Sequence, residues 1–153
     1  MSLLTISRLE ERKGIIPVLK SLSEMNNNNE LKPFFWNICG EGLQANEIKE
    51  AIGHLNLSNN VQLVGKVTGN EKESFLEKAD LFIMPSYKVN DSIEGFGISY
   101  IEAAAYGVPS IAGIDGGVRD AVIDSETGWC VNPLDKSAPV SYTHLRAHET
   151  YDH

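Results

Sequence analysis

The chain has 153 residues, 42% of them apolar and 22% charged, which excludes a disordered or fibrous polymer and leaves room for one ordinary globular core. Its formal charge of -8 argues against a broad basic face, and with it against nucleic acid as a partner, although a few well-placed cations can still hold an anionic small molecule. No run nears the roughly 18 apolar residues of a membrane span and no basic-then-apolar leader opens the chain, so a cytoplasmic location is expected.

Strand-like and helix-like runs alternate from the first residues. LLTIS (Leu3 to Ser7) reads as a strand, and ERKGIIPVLKSLSEM follows as a helix with Ile15, Val18, Leu19 and Leu22 on one side. Asn26 to Asn29 breaks it, FFWNIC (Phe34 to Cys39) is a second strand, and GEGLQANEIKEAIGHL turns into a second amphipathic helix. VQLVGKV (Val61 to Val67) is a third strand, with a helix from about Asn70 to Lys78, and DLFIMP (Asp80 to Pro85) is a fourth. After the polar loop SYKVNDSIEG comes an apolar helix from about Gly95 to Tyr106, closed by Gly107 and Pro109. SIAG, the short helix GVRDAVI and the strand GWCV complete the series. Cys39 and Cys130 lie in or beside strand-like runs without metal-type spacing, so buried free thiols are expected.

About six such alternations with near-continuous apolar strands predict a doubly wound, Rossmann-like α/β fold: a parallel sheet with helices on both faces. Ligands then bind where the carboxyl ends of the strands meet the following loops. The candidate loops are Arg8 to Lys13, Gly40 to Gly42, Gly65 to Val67, Ser86 to Gly97 and Gly113 to Gly117.

In RLEERKG, Arg8 and Lys13 flank the first turn and can converge on a diphosphate; a solvated helix start neutralised by Glu10 and Glu11 is the competing reading. In EGFGISYIE, Gly95 and Gly97 fall in the first turn of a helix whose free amides suit an anion or a sugar oxygen, with Glu94 expected at the N-cap. Glu102, eight residues after Glu94, is about two turns on and on the same side. A carboxylate on so apolar a helix needs a partner, either a ligand or a protein group such as a loop amide or Lys13.

Five motifs in this order resemble the C-terminal donor-binding domain of GT-B glycosyltransferases of the glycosyltransferase 4 type, over about Leu3 to Asp135: SRLEERKG, ICGEG, VGKV, ADLFIMPS and EGFGISYIEAAAYGVPSIA. The resemblance implies a nucleotide-diphosphate-sugar donor and retaining, hexosyltransferase-type transfer to a glycan, lipid or small-molecule acceptor, as in polysaccharide biosynthesis. By it Arg8 and Lys13 hold the diphosphate, Glu94 the transferred sugar and Glu102 the ribose hydroxyls. The amides of Phe96, Gly97 and Ile98, next to Gly95, complete the cradle, Gly40 and Glu41 form the nucleotide turn, and the Val67 backbone holds the base. No cofactor and no metal are implied, in keeping with the lack of any Asp-x-Asp pair. Gly116-Gly117-Val118-Arg119-Asp120 departs from the family's usual Gly-Gly-Ile/Val-Pro-Glu. A non-catalytic nucleotide-sugar-binding module, or a GT-B epimerase or phosphorylase, are the alternatives.

The expected organisation is a donor domain over residues 1–136 and a non-native or disordered tail over 137–153, whose SYTHLRAHET resembles translated adapter sequence; on that reading His144 and His148, four apart, are not a metal site. The acceptor-binding domain would lie outside this chain, in a parent associated with the inner face of a membrane, and the chain alone would bind without turnover. Calorimetry is expected to show weak binding of UDP- or GDP-sugars, reduced in Lys13→Ala with little loss of stability. Equal affinity of the two proteins would refute the diphosphate assignment.

Overall fold

The computed structural model describes residues 1–91, 97–115, 117–122 and 128–134. Within them the chain runs β1 (Ser2–Ile6), α1 (Ile15–Asn27), β2 (Phe35–Cys39), α2 (Ala45–His54), β3 (Val61–Gly65), α3 (Gly69–Lys78), β4 (Leu81–Met84), α4 (Ile98–Ala105), β5 (Ser110–Ala112), α5 (Val118–Ala121) and β6 (Gly128–Cys130). The strands form one sheet in the order β3-β2-β1-β4-β5-β6, every neighbouring pair parallel. The expected doubly wound α/β fold is the one found.

The two faces follow from alternation along each strand. Leu3, Trp36, Ile38, Leu81 and Ile83 point to the side covered by α1 and α2, where Ile15, Leu19, Leu22, Ile48 and Ile52 meet them. Leu4, Cys39, Phe82 and Met84 point to the other side, against Leu76 of α3, Tyr100 and Ala103 of α4 and Val118 of α5. β4 is buried along its whole length, as a central parallel strand must be. At the middle of the sheet Thr5 donates to the Ile83 carbonyl and accepts from Trp36 Nε1 at 3.0 Å, so β1 is tied by one hydroxyl to both neighbours.

Two expected boundaries change here. The first helix does not begin at Glu11: Glu11–Lys13 is a single 3-10 turn ended by left-handed Gly14, and α1 starts at Ile15. The third strand stops at Gly65, because the β2–β3 register slips between Ile38 and Cys39 and the last bond runs from the Gly40 amide to the Gly65 carbonyl at 2.7 Å. Val67 is thus a buried loop residue, not a strand end. The expected tail and its histidines lie outside the described residues. Cys39 is a buried free thiol, held up at about 12 by desolvation and then by the charge of Glu71, whereas the free thiol of Cys130 is only partly buried.

Tyr100 fixes α4 to the sheet. Its ring meets Phe82 edge-on at 6.1 Å, and its hydroxyl donates to the Met84 carbonyl and lies 3.1 Å from Ser86 Oγ, all buried. Tyr100→Phe removes the hydroxyl from Ser86 Oγ and from the Met84 carbonyl, which keeps the Ser86 amide at 2.8 Å, and is expected to cost about 1 kcal/mol, read as a lower urea midpoint with an unchanged slope.

Candidate functional site

The strand order reverses between β1 and β4, where one crossover leaves toward β2 and the next toward β5. The loops after these two strands therefore part from each other and open a crevice at the carboxyl edge. They are also stitched together: the Tyr87 amide, after β4, donates to the Arg12 carbonyl, after β1, at 2.9 Å.

The first loop carries the cations. The backbone turns before Glu10, whose amide donates to the Arg8 carbonyl at 3.1 Å, and enters the 3-10 turn after it, so Arg8 and Arg12 come to the same carboxylate from either side. Glu10 accepts from Arg8 Nε through Oε1 at 3.0 Å and from Arg12 Nε through Oε2 at 3.2 Å. Its carboxyl is held below the ordinary 4.5, first by the bond from Arg8, against desolvation, and then by Arg12. Arg8 is 66% exposed at its side chain, while Lys13 is 7% exposed in all. Arg8 and Lys13 both sit on this loop, one at the surface and one sunk beneath it. Glu10 does neutralise, and what it pairs with is Arg8 and Arg12. Tyr87 beside this loop has its phenol pushed up by burial and then by the charge and hydrogen bond of Glu11.

The second loop packs backbone to backbone on the first. Ser7 N donates to Cys39 O at 3.0 Å and Leu9 N to Glu41 O at 2.9 Å. A Cβ on Gly40 would stand 1.7 Å from the Ser7 carbonyl oxygen, so only glycine lets the turns touch. Glu41 contributes its carbonyl to this seam and leaves its side chain exposed.

On the far side of the crevice α4 begins three residues later than expected. Its N-cap is Gly97, with φ of 64°, and a Cβ there would meet the Tyr100 ring at 2.9 Å. The N-cap is therefore Gly97 and not Glu94. Glu94, Gly95 and Phe96 lie outside the described residues, as does Gly116. Ile98, first in the helix, is 61% exposed, and the first amides of such a helix have no partner within it.

Among the described residues the partner of Glu102 is neither Lys13 nor a loop amide but Lys72 of α3, whose Nζ lies 2.5 Å from its Oε2. The sequence reading missed Lys72 and Arg12. Arg12 stands only two residues from Glu10 and was detectable on that ground, whereas nothing local links Lys72 to a residue thirty positions on.

A family model for glycosyl transferases group 1 matches residues 2–141. The GDP-mannose-dependent alpha-(1-6)-phosphatidylinositol monomannoside mannosyltransferase of Mycolicibacterium smegmatis is 30% identical over 135 residues, or 87% of this chain and 35% of that protein. Sucrose-phosphate synthase from Thermosynechococcus elongatus has a TM-score of 0.80 at 25% identity over 98% of this chain and 36% of its own. Anabaena HepE in complex with UDP has a TM-score of 0.77 at 21% identity over 98% of this chain and 40% of its own, a likeness of fold. This chain spans about a third of the length of the curated relatives it matches.

The Glu10 bridge makes a prediction in acid. A carboxyl whose folded pKa is lowered adds stability above its unfolded value of 4.5, and that stability is lost as pH falls from there through the lower folded value. Glu10→Gln is therefore expected to be less stable than the wild type at neutral pH, with the gap in urea unfolding closing toward pH ~3. A gap independent of pH would show that the bridge contributes no charge-dependent stability.

Proposed function

The chain belongs to the glycosyl transferases group 1 family, and we propose that its crevice binds the nucleoside diphosphate of a sugar donor. The observation that supports this most directly is the bond from Tyr87 to Arg12, which holds the cationic loop after β1 against the loop leading to α4. An anion in the crevice then faces guanidinium and ammonium groups on one wall and free helix amides on the other.

In this reading Arg8 and Lys13 bind the diphosphate and stabilise the charge that grows on it as the glycosyl bond breaks, which lowers the barrier more than it strengthens ground-state binding. Arg8 exchanges Glu10 for phosphate at little cost, since so exposed an ion pair is worth only about 0–1 kcal/mol. The amides of Phe96, Gly97 and Ile98 complete the cradle beside Gly95, Glu94 holds the transferred sugar and Glu102 the ribose. Gly40, Glu41 and the Val67 backbone enclose the base. Transfer is of the retaining, hexosyl type and needs no metal; a departing phosphate oxygen takes the acceptor proton. Sequence outside this chain engages the glycan, lipid or small-molecule acceptor, at the cytoplasmic face of a membrane. GDP-mannose dependence in the mycobacterial relative and UDP in the Anabaena structure support a nucleotide sugar and leave the base open.

Because Lys13 is buried, Lys13→Ala would also remove packing, and the early expectation of an unchanged stability is better tested with Lys13→Met, which keeps the stem. Calorimetry with UDP and GDP in the presence of EDTA is expected to give affinity about tenfold lower in Lys13→Met. Unchanged affinity would sink the diphosphate assignment, and a requirement for added metal would sink the metal-free one.

A further inference from the structure

The Lys72–Glu102 pair has a position that a surface ion pair does not need. It spans from α3 to α4 and closes over a void of about 10 Å³ lined by Ile6, Leu76, Phe82 and Ser99 together with the pair itself. Ile6 is the last residue of β1, so this recess lies at the carboxyl edge, directly behind the crevice. Its wall is fixed by Ser99 Oγ, which donates to the Ile6 carbonyl at 3.4 Å.

Only one carboxylate oxygen is engaged. Lys72 takes Oε2, and among the described residues no bond to Oε1 is present. A carboxylate has acceptor positions on both oxygens, so Glu102 keeps the capacity to receive a hydroxyl while its orientation is held by the ammonium. A glutamate otherwise carries several free rotors, and ordering them on binding would cost affinity. Both side chains are about one-third exposed, so the pair adds little to folding, and its consequence falls on where the carboxylate points.

We propose that Lys72 is a positioning residue that holds Glu102 ready to accept a ribose hydroxyl of the bound nucleotide. The proposal rests on the donor-site reading above, in which Glu102 meets the ribose. It makes α3, whose side chains the donor-site reading does not otherwise use, a determinant of sugar selectivity in the nucleotide. Lysine suits the task because its three donors and flexible stem can follow the carboxylate as a hydroxyl approaches. Arginine at the same place can still pair, whereas methionine preserves the apolar stem and removes the charge.

The test uses the whole 153-residue chain. UDP, 2′-deoxy-UDP and pyrophosphate are titrated by calorimetry into wild type, Lys72→Met, Lys72→Arg and Glu102→Gln, with thermal unfolding of each protein as the control for folding. Lys72→Met is expected to lower UDP affinity about fivefold, to shrink the preference for UDP over 2′-deoxy-UDP toward one, and to leave pyrophosphate affinity unchanged. Lys72→Arg restores the preference, and Glu102→Gln loses it as Lys72→Met does. A Lys72→Met protein that keeps the wild-type preference, binds UDP more tightly or loses pyrophosphate affinity in parallel overturns the positioning role, while wild-type UDP binding leaves the donor-site reading standing. If the folded wild type binds none of the three ligands, the donor-site reading falls and this proposal with it.

Discussion

Everything at the candidate site depends on one pairing, that of β1 with β4 at the centre of the sheet. The two strands are separated by most of the first half of the chain, yet they lie side by side because the crossovers through α1 and α2 step away in one direction and those through α4 and α5 in the other. Right-handed crossovers then put the two sets of helices on opposite faces. Between them the edge of the sheet has no covering helix, and that gap is the crevice. Thr5 secures the pairing with a hydroxyl shared between Ile83 and Trp36, a polar group inside an apolar sheet that is stabilising because both of its bonds are made.

The walls of the crevice are held by unlike means. The β1 and β2 loops are joined through their backbones, at a spacing that excludes even one Cβ, so the turn at Gly40 is rigid by sterics. α4 is held by a single large side chain: Tyr100 delivers an aromatic contact and a buried hydroxyl to β4, and Gly97 begins the helix where that ring leaves space for nothing larger. The charged groups form a third layer. Glu10 spans Arg8 and Arg12 on one wall, and Lys72 holds Glu102 on the other, so that neither carboxylate stands alone. The Arg8–Glu10 pair is exposed enough to give way to a ligand without a large penalty.

This arrangement explains why the conspicuous segment EGFGISYIE is only half of a site. Its described part, Gly97 to Glu102, opens α4, whereas the cations come from the loop after β1 and from α3. With Gly97 as its N-cap, α4 starts at Ile98, and Glu102 lies in its second turn.

The fold was legible in the sequence. Continuous apolar runs can only be strands buried on both faces, and the amphipathic runs between them can only cover those faces; Leu3 against Leu4, and Phe82 against Ile83, already carry the two cores in their alternation. The cationic loop was legible too, since Arg8, Arg12 and Lys13 are near neighbours in the chain. What the sequence could not decide was depth and partnership. That Lys13 is buried while Arg8 is exposed, that β3 ends at Gly65, that Gly97 begins α4, and that Glu102 meets Lys72 are all consequences of how elements distant in the chain stack on the sheet. Local pattern sets which face a residue occupies, because the periods of strand and helix are properties of the backbone alone; which residue stands opposite it is set by packing, because that distance exists only once the sheet has formed.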